Sequence, residues 1–300
     1  MSFQASNLLE FFDTRRERGV SLVLVTVIDT QGSTYSKAGA QMLVDSDGVF
    51  CGMLSGGCLE GDLAVRARVV IDSGQAQTVT YDLAQDDELW GMGAGCDGMI
   101  RVLLLPLTPD NAYAPFADMA DVLRGRDATE FRLPLEGEDP DEVAITIVPP
   151  PRVLVLGAGL DAEPVVRFAA ELGWRVTVAD HRPAYIDGGN FAAAESRHCV
   201  PADDISKSID LSLFDMAIVM SHHLASDRAY LRQLARTGMT YVGLLGPRAR
   251  RERLLAELGD DAGELPESLR GPAGIDIGGH GPAPIALSII AEMQKAWVSR

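Results

Sequence analysis

The stretch from Arg152 to Asp180 constrains this chain more than any other. Val153 to Leu156 are four consecutive apolar residues, the pattern of a strand buried on both faces, and they run straight into a glycine turn at Gly157-Ala158-Gly159. Val165, Val166, Phe168, Ala169 and Leu172 then make one apolar side of a helix that Gly173 stops, and Arg175 to Ala179 supplies a second strand. Strand, glycine turn, helix and strand make a βαβ unit, which commits the surrounding chain to a parallel sheet covered by helices.

The turn has the spacing G-x-G-x-x-A. Gly157 permits the tight turn, Gly159 lets backbone approach a phosphate at the helix N-terminus, and Ala162 takes the close-packing position. Asp180 closes the second strand, where an acid meets a ribose 2′-hydroxyl in dinucleotide-binding folds. Arg182 beside it leaves NAD and NADP both open, and such a turn also occurs with no ligand. A Rossmann-like α/β domain is the expectation, with a nucleotide as its candidate occupant.

With 300 residues, 47% hydrophobic and 23% charged, the chain has material for two domains with their own cores. A formal net charge of −17 argues against a nucleic-acid surface, so any phosphate must be held locally by turn amides. Arg15, Arg16 and Arg18 follow Phe11 and Phe12 without a continuous apolar run; neither a signal peptide nor a membrane span is expected, and the cytoplasm is the expected compartment. Cys51, Cys58, Cys96 and Cys199 show no C-x-x-C spacing, so free thiols are expected rather than a zinc ribbon.

The N-terminal part reads as a short helix from Asn7 to Arg18, a strand from Ser21 to Asp29, and a hairpin whose strands Met42 to Val44 and Val49 to Met53 are joined at Asp45 to Gly48. Ser55, Gly56 and Gly57 then open a helix that carries Leu63, Ala67 and Val70 up to Gly74, which puts Cys58 at or just before the helix N-terminus. Unpaired amides and the helix dipole at such a position favour a thiolate, and the glycines leave room beside the sulfur. Gly91 to Gly98 brackets a second thiol, Cys96, just before a strand from Met99 to Leu107. Buried cysteines and turn glycines also occur with no function, and plain core packing is the expectation for Cys51 and Cys199. Pro149 to Pro151 form a stiff linker that divides the chain into residues 1–149, mostly β, and 150–300, Rossmann-like.

In the second part Phe214 to Met220 reads as a buried strand entering Ser221-His222-His223, a helix follows from Asp227 to Arg236, and Thr240 to Leu244 gives a further strand before Gly246. Strand ends of this kind lie over the ligand crevice of an open α/β sheet. His222, His223 and Asp227 make a poor metal set, because adjacent histidines point in different directions. Gly278, Gly279 and His280 introduce the last helix, with Ile289, Ile290 and Met293 on its apolar face.

Val27 to Tyr35, Leu54 to Glu60, Gly93 to Gly98, Gly157 to Ala162, Ser221 to His223 and Gly278 to Pro282 together resemble the XdhC/CoxI family, maturation factors for molybdenum hydroxylases such as xanthine dehydrogenase. The resemblance implies a cytoplasmic chaperone that binds molybdenum cofactor (molybdopterin), protects it, assists its sulfuration with a cysteine desulfurase, and delivers it to the apo-hydroxylase. Turnover chemistry is not clearly part of that role. Under it, Ser55, Gly56, Gly57, Cys58, Gly95, Cys96, Gly157, Gly159, Ala162, Asp180, Ser221, His222, His223, Gly279 and His280 are the cofactor-binding candidates. Cys58 is the candidate molybdenum contact, Cys58 and Cys96 are the sulfur-transfer candidates, and the expected assembly is a homodimer. Soft thiolates suit molybdenum or a transferable sulfur, and amide-rich turns suit a pterin phosphate. Two alternatives from other classes remain at this level. One is an NAD(P)-dependent oxidoreductase with His222, His223 or His280 as its acid or base; the other is a nucleotide-sensing module that needs no catalytic residue.

Overall fold

The computed structural model describes residues 2–83, 98–135, 142–235, 237–265 and 269–299. They divide into two compact units, Met1–Pro149 and Pro150–Arg300.

The first unit runs α1 (Ser2–Glu17), β1 (Leu22–Gln31), β2 (Gln41–Asp45), β3 (Phe50–Cys51), α2 (Glu60–Ser73), β4 (Gln77–Asp82), β5 (Met99–Leu107), α3 (Phe116–Arg124), β6 (Thr129–Pro134) and β7 (Glu142–Ile147). Strands in the order β3-β2-β1-β5-β4 make an antiparallel sheet, and β6 pairs with β7 apart from it. Alternation along β1 explains its burial on both faces. Leu22 and Leu24 join the core with Phe12 of α1 and Phe116 and Met119 of α3, whereas Val23, Val25 and Val27 meet Leu63, Ala67 and Val70 of α2. Each such fully buried aliphatic side chain contributes roughly 1.5–3 kcal/mol. The second hairpin strand is shorter than expected, because Gly52 at φ +102° turns the chain where a Cβ would lie 2.7 Å from the Gln41 carbonyl oxygen.

The second unit contains β8 (Arg152–Leu156), α4 (Ala162–Glu171), β9 (Arg175–Asp180), α5 (Pro183–Gly188), β10 (Ser196–Cys199), α6 (Ile205–Ser208), β11 (Met216–Val219), α7 (Leu224–Leu234), β12 (Tyr241–Leu244), α8 (Arg248–Leu258), β13 (Leu269–Arg270) and α9 (Pro282–Val298). All six strands are parallel in the order β10-β9-β8-β11-β12-β13. Taking β8 as the first strand, this is the 3-2-1-4-5-6 order of a Rossmann fold, and its direction reverses between β8 and β11. Odd positions of β8, Val153 and Val155, pack with Val165, Val166 and Ala169 of α4 and Ile289, Ile290 and Met293 of α9. Leu154 and Leu156 face the opposite layer with Tyr230, Leu231 and Leu234 of α7 and Leu254 of α8. Helices on both faces exclude water from the whole strand, which is why β8 reads as an unbroken apolar run.

The cysteines divide differently from the sequence expectation. Cys51 is half-buried against the core shared by α1 and α3. Cys199, expected in the core, is exposed: β10 is an edge strand with alternating half-buried and exposed positions, and Cys199 ends it on an exposed one. No helix among the described residues is long and apolar enough to cross a membrane.

Candidate functional site

In the first unit, Leu54 to Leu59 connects β3 to α2. Gly56 at φ +77° and Gly57 at φ +111° bend it through backbone conformations that other residues adopt only with strain. A Cβ on Gly57 would meet nothing within 4 Å, and one on Gly56 would meet only the Tyr35 ring at 3.7 Å. The following thiol, Cys58, is half-buried and unpaired. Glu60, the first residue of α2, is only 2% exposed. Its Oε1 accepts from the amides of Leu54 at 2.7 Å and Ser55 at 2.8 Å, while its Oε2 accepts from the Ser55 hydroxyl at 2.5 Å and the Gly57 amide at 3.0 Å. Burial alone would push this carboxyl up, but the donors from Ser55 and Leu54 outweigh it and hold the group below its ordinary value.

In the second unit, the strand ends at the reversal point converge. Gly157 at φ +119° lies so close to β11 that a Cβ would stand 2.6 Å from the Met220 carbonyl carbon and the Ser221 nitrogen. Asp180, fully buried, has four donors on its two oxygens: the Ala158 amide at 2.8 Å, and the Arg182 amide at 2.9 Å, Nε at 2.9 Å and Nη2 at 2.7 Å. Burial raises its carboxyl, and the Arg182 side chain, the Ala158 amide and the Arg182 amide more than reverse that, so it stays ionised. A carboxylate has about four acceptor sites, so none is left for a ribose hydroxyl.

The loop after β11 is held in the same way. Asp227, also fully buried, accepts from the Ser221 amide and hydroxyl and from Arg250 Nη2 at 2.7 Å. His223 caps α7 by accepting from the Ser226 amide on Nδ1. His222 sits at φ +60°, the left-handed region, with Nε2 bonded to Asp161 at 2.6 Å. Tyr230 is buried between the two acids; burial first, then Asp180 and Asp227, push its hydroxyl well above its ordinary value. Among the described residues, no group of three or more His, Cys, Asp or Glu is placed to hold a metal ion.

A model of the XdhC Rossmann domain matches residues 153–293, and a model of the XdhC and CoxI family matches residues 15–82. A probable xanthine dehydrogenase subunit of Bacillus subtilis (strain 168) is 31% identical, with 96% of this chain and 96% of that protein covered. The chain belongs to the XdhC and CoxI family. The molybdenum cofactor insertion chaperone PaoD of Escherichia coli K12 is 26% identical over 92% of this chain and 83% of its own length. A crystal structure described as a xanthine dehydrogenase from Bacillus halodurans superposes with a TM-score of 0.85 at 29% identity, covering 100% of this chain and 97% of that one.

In this XdhC-family chain the structure brings Ser55, Gly56, Gly57 and Cys58 into one loop of the first unit. It gathers Gly157, Gly159, Ala162, Asp180, Ser221, His222 and His223 at the strand ends of the second. Gly279 instead lines a groove of about 350 Å³ with Gly246, Pro247, Ile275, Ile277 and Pro284, and His280 is exposed beyond that lining. Gly95 and Cys96 lie outside the described residues. Sequence reasoning missed Glu60, Asp161 and the pairing of Arg182 and Arg250 with the two buried acids. Its one available signal was an acid placed directly beside small or apolar residues in each motif, as in Cys58-Leu59-Glu60 and Ala179-Asp180.

Proposed function

We propose that the chain is a maturation chaperone that binds molybdenum cofactor and inserts it into a xanthine dehydrogenase type molybdenum hydroxylase. The supporting observation is similarity along nearly the whole length to the xanthine dehydrogenase protein of B. subtilis and to the insertion chaperone of E. coli. Cys58 is the molybdenum or sulfur contact in this proposal: the thiol is unpaired and half-buried, and open space beside Gly57 admits a bulky ligand. Thiolates are soft metal ligands and the nucleophiles of sulfur exchange. The glycine turn with Ser221, His222 and His223 is the proposed second contact, for the pterin phosphate. With every acceptor of Asp180 filled from within, we assign no NAD(P) to it.

The finer parts of the proposal are assistance to sulfuration with a cysteine desulfurase, a homodimer, a cytoplasmic setting, and separate domains at residues 1–149 and 150–300. Protein from a cofactor-making host is to be assayed for molybdenum by elemental analysis and for pterin by fluorescence. Cys58→Ser is nearly isosteric, so a folded variant with an unchanged melting temperature is expected to lose molybdenum, pterin and activation of an apo-hydroxylase together. Wild-type stoichiometry and activation in that variant would refute the assignment of Cys58.

A further inference from the structure

We propose that Glu60 is the positioning residue for Cys58. The two residues flanking the thiol are both tied to this one carboxylate. On one side, the Gly57 amide donates to Glu60 Oε2 at 3.0 Å. On the other, the Leu59 amide donates to Ser55 Oγ at 2.7 Å, and that hydroxyl in turn donates to Oε2. Oε1 holds the start of the loop through Leu54 and Ser55. Cys58 is therefore suspended between two anchored amides, with its backbone position set by an acid that is itself only 2% exposed.

The geometry needs a carboxylate rather than any polar side chain. All four groups directed at Glu60 are donors, and only an ionised acid presents acceptors at both oxygens. A glutamine would satisfy one side and turn its own N–H groups toward Gly57 and Ser55. An aspartate keeps the charge but lacks the length to reach both ends of the loop. A purely helix-capping acid would explain neither feature, because the N-terminal cap of α2 is Leu59 with no side-chain hydrogen bond, and Glu60 reaches back over the loop instead. Among the described residues Glu60 has no cationic partner, so its ionisation is supported by these donors alone.

The inference deepens the chaperone reading and rests on Cys58 being its cofactor contact, yet its geometric part is testable separately. Alkylation by iodoacetamide, followed per cysteine by peptide mass spectrometry on the full chain, reports Cys58 while Cys51 and Cys199 serve as references in the same molecule. Glu60→Gln and Glu60→Asp are each expected to raise the Cys58 rate about tenfold, as loss of a charge-assisted hydrogen bond does to a local opening equilibrium, with Cys51 and Cys199 unchanged. A rise in Glu60→Gln alone would mean that charge and not position matters, and would overturn the proposal. So would an unchanged Cys58 rate in both. If Cys51 accelerates in step, the variant has unfolded and Ser55→Ala decides: it cuts the Leu59 link alone, and its Cys58 rate must rise selectively or the proposal fails. Molybdenum and pterin content is measured on the same samples. A Cys58 rate that responds while cofactor content stays at the wild-type level leaves Glu60 as the positioner of the thiol and removes the thiol from the cofactor site.

Discussion

Replacing Asp180 separates two roles for the acid that closes β9. As an acceptor for a ribose hydroxyl it would be dispensable to folding. As the structure has it, Asp180→Ala strips four donors of their acceptor at once and leaves the Arg182 guanidinium without its counter-charge. Removing one partner of a buried ion pair costs roughly 3–5 kcal/mol. The Arg182 side chain keeps 29% of its surface in contact with water, so the lower end applies, about 3 kcal/mol. For a unit of this size each kcal/mol moves the melting temperature by roughly 2–4 °C, and the expected fall is about 6–12 °C. Calorimetry at pH 7 measures it, with Trp174 fluorescence following the second unit. Adding Arg182→Met should restore part of the loss, because no uncompensated charge then remains. A melting temperature within about 2 °C of wild type in Asp180→Ala would refute the structural role, that shift being below about 1 kcal/mol.

Two further outcomes follow from the same geometry. Gly157→Ala places a methyl 2.6 Å from the backbone of Met220 and Ser221 at φ +119°, and is expected to abolish soluble expression or lower the melting temperature by at least 10 °C, about 3 kcal/mol in a unit of this size; a stable soluble variant would count against the close approach of β8 to β11. Glu60 and Asp180 both have folded-state pKa values depressed below their ordinary 4.5 and 3.8, so the stability they contribute is complete above the ordinary value and is lost as pH falls through the depressed one. Melting scans from pH 6 to about pH 3 should therefore show a shallower acid decline in Glu60→Gln than in wild type, and parallel declines would remove Glu60 from the set of acids ionised in the fold.

Much of the second unit was legible because its signals are local. Val153 to Leu156, the Gly157 turn and the apolar side of α4 each report their own conformation, and the sheet order follows from right-handed crossovers between parallel strands. The first unit gave less. β4, with Gln77, Thr78 and Thr80, lacks the apolar run of a central strand, and α3 was unread although Phe116, Met119, Ala120 and Leu123 recur at helical spacing. Cys199 misled because burial on an edge strand depends on which face the neighbouring elements cover. Among the site residues, positions were read correctly where roles were not. Asp180 stands at the strand end as expected, but the distances that occupy it run to Arg182 and to Ala158, and no spacing rule encodes a carboxylate turned inward.

That inward turn recurs, and it changes what the acidic motifs are for. Asp45, Asp180 and Asp227 are all buried, all bind amides of a loop that follows a strand or a glycine turn, and all pair with an arginine, Arg15, Arg182 or Arg250. A neutral side chain offers one or two acceptors; a carboxylate offers about four, enough to fix several amides of an irregular segment that has no ladder of its own. Such loops are ordered before any ligand arrives, so binding need not include the entropy of ordering them. Glu60 belongs to this set with one difference, since among the described residues it is satisfied by neutral donors only. A buried carboxylate without a cation depends entirely on the placement of those donors, and any displacement of Ser55 or Gly57 leaves part of its charge unsolvated. The loop and the acid therefore hold each other, and the thiol between them has the least freedom to move of any group in that segment.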